Sequence, residues 1–224
     1  MADHRREDGR GALAPILLIL VVVAGTLIGL KVLPDGPDPD LFIIGDSVTY
    51  LSEQQIQAEF EHTPLEFVAI PGFSSEMLMP DVLRAMGSPG DPAHARQRVA
   101  ALVGYNDVRL RDVDSASMHR MVLLTSKFQC GVWLALPSRP GGVDNANAMA
   151  ESKFVDQFNL HLQAQVERYG NLHLTQAWAQ AINNAPLGKY LRKDGVHPNA
   201  AGRKLLAKIY RDAIDQSCPK QSTK

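Results

Sequence analysis

Short apolar runs alternate with longer amphipathic segments along most of this chain, and this alternation restricts the possible folds more than any other feature. The first run, residues 41–44, reads Leu-Phe-Ile-Ile and stops at Gly45, as a short buried strand does. Similar runs predict strands at 65–70, 99–103, 131–137 and 172–175. Apolar side chains at helical spacing predict helices at 52–62, 75–86, 114–127, 148–169, 177–183 and 199–215, with a loop at 87–95. The alternation predicts an α/β fold, a parallel five-stranded sheet between two layers of helices.

The segment that precedes the first strand has a different composition. Residues 11–30 are uncharged and mostly apolar, which is long enough to span a hydrocarbon core of roughly 30 Å. Arginines lie before this run, and an acidic, proline-rich spacer follows it at 34–40. Because basic residues favour the cytoplasmic side, we expect the N-terminus inside and the rest of the chain outside. The predicted organisation is a cytoplasmic tail at 1–10, a transmembrane anchor at 11–33, the spacer, a folded domain at 41–217 and a C-terminal tail at 218–224.

Two alternatives to a membrane anchor stay open. A cleaved signal peptide would give a secreted domain, and the small residues at 24–26 offer a cleavage point. The apolar run continues beyond them, however, and is longer than a typical signal core. A buried helix of a soluble protein is disfavoured because the proline-rich spacer follows at once. Since no cysteine lies near the run, a lipoprotein anchor is not expected.

Polar loops follow the predicted strands at their carboxyl ends. In a parallel sheet these ends share one edge, and ligands bind in the crevice outside it. The loops that the fold would gather there are 45–47, 71–72, 104–107 and the loop after 137, together with 193–199, which precedes the last helix. The topology therefore predicts one site built from residues that are far apart in the sequence.

Three side chains in these loops have the chemistry of nucleophilic catalysis. Ser47 stands at a strand-to-helix turn, where its hydroxyl is presented at the sheet edge. Asp194 and His197 are three residues apart in a tight loop, so Asp194 can orient His197 while His197 accepts the proton of Ser47. Each residue also has an ordinary interpretation as a turn or surface residue.

Acyl transfer generates an oxyanion, which requires N–H donors held in place. The candidates are the backbone N–H of Ser47, the backbone N–H of Gly72 and the side-chain amide of Asn106. Gly72 allows close approach of the backbone because it has no Cβ. Gly72 and Asn106 are also common turn residues, so the prediction depends on all of these groups meeting at one edge.

Four sequence blocks carry a resemblance to the SGNH (GDSL-like) hydrolase family. In chain order they are Gly-Asp-Ser at 45–47, Gly72, Gly-Tyr-Asn-Asp at 104–107 and Asp-Gly-Val-His-Pro at 194–198. The resemblance implies a flavodoxin-like sandwich over the whole domain, with Ser47 as nucleophile, His197 as base and Asp194 as its partner. It also implies an oxyanion hole of Ser47, Gly72 and Asn106, supported by Asp46, Gly104 and Asp107. The two aspartates would hold the loops through hydrogen bonds to the backbone.

The function that we expect is a serine esterase that hydrolyses acyl esters, on envelope carbohydrates or lipids, through an acyl-serine intermediate. Acyl transfer to a glycan hydroxyl by the same residues is one alternative, and a non-catalytic carbohydrate- or lipid-binding module is another. No metal or cofactor is expected, because Asp194 and His197 lack further ligands at zinc-like spacing and no phosphate loop follows a strand. A net charge of −1 gives no reason to expect a nucleic-acid partner.

Two further features bear on the expected domain. Cys130 and Cys218 would lie outside the membrane, where disulfides persist. The start of the fourth strand and the end of the last helix share the edge opposite the site, so a bridge is geometrically possible, with two buried free thiols as the alternative. The glycine-containing loop at 138–147 is expected to overhang the site as a lid or an acceptor wall.

Overall fold

Five parallel strands form the centre of the structure, a computed structural model that describes residues 38–88, 90–138, 146–186 and 188–219. The strands are β1 (Leu41–Gly45), β2 (Leu65–Ala69), β3 (Arg98–Leu102), β4 (Cys130–Leu134) and β5 (Leu172–Thr175). They pair in the order β2-β1-β3-β4-β5, with Leu41 in register with Leu65 on one side and Arg98 on the other. The predicted five-stranded parallel sheet is confirmed.

Helices connect the strands and cover the sheet. They are α1 (Ser47–Tyr50), α2 (Glu53–Glu59), α3 (Ser75–Met86), α4 (Tyr105–Arg109), α5 (Ala116–Thr125), α6 (Ala146–Val166), α7 (Ala177–Asn183) and α8 (Ala200–Ser217). Helix α2 packs on α8, which also contacts α7, whereas α3 packs on α5 and α5 on α6. Right-handed crossovers place the α2 group and the α3 group on opposite faces, because the chain moves in one direction from β1 to β2 and in the other direction from β2 to β3 and onwards. The result is a three-layer α/β/α sandwich.

The burial of the strands follows from these neighbours. Every residue of β1 and β3 is buried, because each strand has a strand on both sides and helices on both faces. The edge strands β2 and β5 are only partly covered. Bulky side chains from β4, α7 and α8 complete the core, among them Trp133, Trp178 and Tyr210. The sequence order reverses between β1 and β3, and the loops at their carboxyl ends therefore border a crevice.

Several local predictions differ from the structure. The loop predicted at 87–95 is wrong in part, because Pro92–Arg96 forms a 3₁₀ helix that Asp91 caps through the N–H of Ala93. The helices predicted at 52–62 and 114–127 are shorter at both ends. Helices α1 and α4 were not predicted, since one turn is too short to show an apolar period.

Cys130, at the start of β4, and Cys218, at the end of α8, form a disulfide with a Cα–Cα distance of 5.5 Å. Both residues lie at the edge of the sheet where the strands begin, opposite the edge with Ser47. Cleaving this bond should lower the free energy of unfolding by about 2–4 kcal/mol, because it restricts an unfolded chain over 88 positions. We expect the urea midpoint to fall on reduction, as followed by the fluorescence of the buried Trp133 and Trp178.

The Cys130→Ser/Cys218→Ser double variant is the control for this experiment. Its midpoint should match that of the reduced wild type and should not respond to reductant. A wild-type midpoint that reduction leaves unchanged would contradict a stabilising role of the bond.

Several predictions fall on residues outside those that the structure describes. They are the cytoplasmic tail at 1–10, the apolar segment at 11–33, residues 34–37 of the spacer, residues 139–145 of the loop at 138–147, and residues 220–224 of the C-terminal tail. Within the described residues, no helix has the length and apolar character needed to cross a membrane.

Candidate active site

Ser47 is the first residue of α1 and directly follows the end of β1. Asp46 caps this helix by accepting a hydrogen bond from the N–H of Val48 at 3.1 Å. Because the first N–H groups of a helix have no partner within it, the N–H of Ser47 remains available beside its own hydroxyl. The turn therefore presents both a hydroxyl and a backbone donor at the carboxyl edge of the sheet.

Asp194 and His197 lie in a narrow loop between α7 and α8. Leu191 and Pro198 form an antiparallel bridge across its base, and the N–H of Arg192 donates to the carbonyl of His197 at 2.8 Å. Asn199 fixes the end of the loop, since its amide N–H groups donate to the carbonyls of residues 188, 189 and 191 while its oxygen caps α8. The loop is thus a closed turn with a defined orientation.

The structure brings Ser47, His197 and Asp194 into one chain of contacts. Nε2 of His197 lies 3.0 Å from the Ser47 hydroxyl, and Nδ1 lies 3.0 Å from Oδ2 of Asp194. The other carboxylate oxygen of Asp194 accepts the N–H groups of Val196 and His197, each at 2.9 Å. Burial raises the pKa of Asp194, but these hydrogen bonds outweigh it, so its pKa lies below the ordinary value.

Asp46 connects the Ser47 turn to the neighbouring loop after β3. Its second carboxylate oxygen accepts the N–H of Tyr105 at 3.3 Å. The side chain is completely buried, and burial raises its pKa to about 7. One carboxylate therefore holds together the two loops that border the crevice.

Asn106 and Asp107, on α4, are held against the loop after β2. Nδ2 of Asn106 donates to the carbonyl of Phe73 at 3.0 Å, and an amide nitrogen has two hydrogens, so one remains for a ligand. Asp107 accepts both the N–H and the hydroxyl of Ser75, at 3.0 Å and 2.5 Å. Burial raises the pKa of Asp107, and the hydrogen bonds from Ser75 oppose that rise.

Two glycines shape these loops. Gly72 has φ of +82° between Pro71 and Phe73, as the third position of a type II turn requires. It is exposed and is not among the described residues that line the cavity at Ser47, so its part in an oxyanion hole stays a prediction. Gly104 has φ of +134°, and a Cβ there would come within 2.3 Å of the Phe158 ring. A side chain at 104 would therefore force the buried Phe158 ring of α6 to move.

A cavity of about 400 Å³ opens beside Ser47, His197 and Asn106. Much of its wall is apolar, and this part is formed by Val108, Leu136, Pro137, Val155 and Val196. A volume in the range of roughly 300–1,000 Å³ is usual for sites that bind small molecules. The cavity can accommodate an apolar group next to the hydroxyl of Ser47.

The wall residues were not found from the sequence. Val155 and Ser152 belong to α6, more than a hundred positions from Ser47, and no motif marks them. A signal was present nonetheless. A helix that follows a parallel strand begins at the carboxyl edge of the sheet, so the first turns of α6 had to lie near the site.

The arrangement has the groups needed to move a proton from a serine hydroxyl to a histidine that a carboxylate orients. Donors from Ser47 and Asn106 border the same cavity. Among the residues that the structure describes, no cluster of three or more His, Cys, Asp or Glu side chains is placed to hold a metal ion. Ser47, His197 and Asp194 supply a nucleophile, a base and a carboxylate that orients the base.

No protein-family model and no curated protein match this sequence. The fold is that of the SGNH-type α/β hydrolases. A GDSL-like lipase from Bacteroides thetaiotaomicron superposes with a TM-score of 0.62 and 15% identity, over 87% of this chain and 97% of the other. A lipase/acylhydrolase from Enterococcus faecalis gives 0.58 and 16%, over 81% and 98%. An acetylxylan esterase from Geobacillus stearothermophilus gives 0.57 and 18%, over 80% and 95%.

Proposed function

We propose that this chain is a serine esterase that hydrolyses acyl esters through an acyl-Ser47 intermediate. The observation that carries the proposal is the continuous contact from Asp194 through His197 to the Ser47 hydroxyl, with 3.0 Å at each step. The apolar cavity beside the hydroxyl supports it, because an acyl group requires such a surface. The structural neighbours include proteins described as a lipase and an acetylxylan esterase, which agrees with this chemistry.

In the first half of the reaction, the Ser47 oxygen attacks the ester carbonyl carbon while its proton passes to Nε2 of His197. The resulting oxyanion accepts hydrogen bonds from the N–H of Ser47 and the amide of Asn106. The carbon–oxygen bond to the alcohol then breaks, and His197 returns the proton to the departing oxygen. Asp194 keeps Nδ1 protonated and stabilises the imidazolium.

In the second half, His197 accepts a proton from water as the water oxygen attacks the acyl carbon. Collapse of this second intermediate releases the carboxylic acid, and the proton returns to the Ser47 oxygen. A sugar hydroxyl in place of water would give acyl transfer. The product distinguishes the two reactions, since only transfer yields an acylated saccharide.

We also propose that residues 11–33 hold the domain at the outer face of a membrane. The proposal rests on the apolar run and the arginines before it. Fractionation of cells that express the full chain tests it. Recovery in the membrane fraction after an alkaline wash is expected, whereas recovery of a shortened chain in the medium would favour cleavage instead.

The esterase proposal is tested with the purified full chain and a fluorophosphonate probe. We expect covalent labelling of Ser47, located by peptide mass spectrometry, and turnover of 4-nitrophenyl acetate. A chain that is folded by circular dichroism but neither labels nor turns over ester would refute the enzyme and favour a binding module.

Asn106→Ala should lower kcat for ester hydrolysis by about 10²-fold, because one oxyanion donor is lost. KM should change little, since the donor acts mainly on the transition state. The matched control is Asn171→Ala, which directly precedes β5 at the opposite edge of the sheet, where the amide donates to the carbonyls of residues 126 and 128. Equal kinetic effects of the two variants would contradict a role for Asn106 in the site.

A further inference from the structure

A second, polar groove adjoins the catalytic cavity. It lies between α6, α7 and the segment after β4, with a volume of about 270 Å³. Leu136 and Ser138 line both the groove and the cavity at Ser47. A ligand that extends past these two residues would therefore reach from the catalytic serine into the groove.

The side chains of the groove are suited to hydroxyl groups. Amide, carboxylate and hydroxyl groups line it, among them Asp156, Gln163, Gln176 and Ser138. An amide both donates and accepts hydrogen bonds, and a carboxylate accepts them, which matches a hydroxyl that does both. None of the lining residues that the structure describes is Lys or Arg.

Leu160 adds an apolar surface to this polar set. It is on α6, one turn after Asp156, and is 66% exposed at the edge of the groove. A sugar ring has hydroxyls around its rim and C–H groups on its faces, so both kinds of surface are needed to bind it. A lipid chain would instead require walls that are apolar throughout.

The shared wall is held in place by Asn159. Its side-chain oxygen accepts the N–H of Leu136 at 2.9 Å, and its nitrogen donates to the carbonyl of Leu136 at 2.8 Å. This pair of bonds joins α6 to the chain after β4. These bonds fix the position of the wall that the groove and the cavity share, and a wall that is already in place loses less entropy when a ligand binds against it.

We propose that this groove is a saccharide subsite that binds the alcohol part of the ester, while the acyl part occupies the apolar cavity. The inference rests on the proposed esterase function and specifies its substrate class as O-acylated oligosaccharides. Gln176 and Asp156 are the residues we assign to sugar hydroxyls. Gln176 precedes α7, and its side chain makes no capping hydrogen bond there.

The test compares two substrates on the full chain: 4-nitrophenyl acetate, which has no sugar, and mono-O-acetylated xylotriose. In Gln176→Ala and in Asp156→Ala, the ratio of kcat/KM for the sugar ester to that for the aryl ester should fall about tenfold. A lost hydrogen bond to a substrate hydroxyl has an effect of this order. Gln180→Ala and Gln157→Ala, at exposed positions of the same helices outside the groove lining, should leave the ratio within twofold.

An unchanged ratio in both groove variants, with an active wild type, would overturn the subsite and leave the esterase standing. If the wild type hydrolyses neither ester, the proposed function fails, and the groove is then tested by NMR titration with free xylotriose. Shifts that are present in the wild type and lost in Gln176→Ala would support saccharide binding. Titration without shifts would overturn it.

Discussion

Ester hydrolysis should fall by about 10⁴-fold or more, to near background, when Ser47 is replaced by alanine, and by a similar factor in His197→Ala. Residues that act as one unit in serine hydrolysis each remove nearly all of the catalysis when they are lost. Here the unit is defined by the 3.0 Å contact between the Ser47 hydroxyl and Nε2 of His197. Without the hydroxyl no acyl-enzyme forms, and without the imidazole the hydroxyl keeps its proton.

Initial rates on 4-nitrophenyl acetate, together with fluorophosphonate labelling, measure this effect. Ser88→Ala and His62→Ala, at exposed positions, are the matched controls and should retain wild-type rates. The urea midpoints of Ser47→Ala and His197→Ala should stay close to that of the wild type, because neither side chain is part of the core. Hydrolysis that survives in either variant would refute the assignment of nucleophile and base.

Much of the architecture could be predicted because it depends on local patterns. Runs such as 41–44 are apolar at every position, as a strand covered on both faces requires. Once the strands are parallel, their carboxyl ends must share an edge, and this brings the loops at 47 and 106 together. The loop at 197 joins them because it precedes α8, and a helix that packs antiparallel to the strands starts at that same edge. The fold prediction therefore needed no knowledge of individual contacts.

Details of the site depend on contacts that no pattern records. Asp107 accepts hydrogen bonds from Ser75, 32 positions earlier, and Asp46 from Tyr105, 59 positions later. The partner of each aspartate depends on where a short turn places a single N–H group. The same residue types occur in turns of different geometry, so the sequence does not identify the partner. Gly72 is a second example. A glycine after Pro71 indicates a turn with positive φ, but the sequence does not indicate how far its N–H lies from the oxyanion.

The burial of Asp46 should make the stability of the fold depend on pH between the acidic and the neutral range. The side chain is completely buried between the Ser47 turn and the loop after β3, and burial raises its pKa from 3.8 to about 7. Between these values the folded protein binds a proton that the unfolded chain does not. The free energy of unfolding contributed by Asp46 is therefore largest below pH 4 and decreases as the pH rises towards 7.

Asp46→Asn removes this dependence, because the amide has a similar shape but does not titrate. From pH 5 to pH 8 the wild type should lose roughly 2–3 kcal/mol of unfolding free energy relative to Asp46→Asn. The size follows from the shift in pKa, since each pKa unit corresponds to ~1.4 kcal/mol. Urea unfolding at both pH values, with Glu61→Gln as an exposed control, measures the shift. A difference that stays constant, or that moves towards the wild type as the pH rises, would mean that Asp46 is ionised throughout. Its two backbone hydrogen bonds would then outweigh the cost of burial.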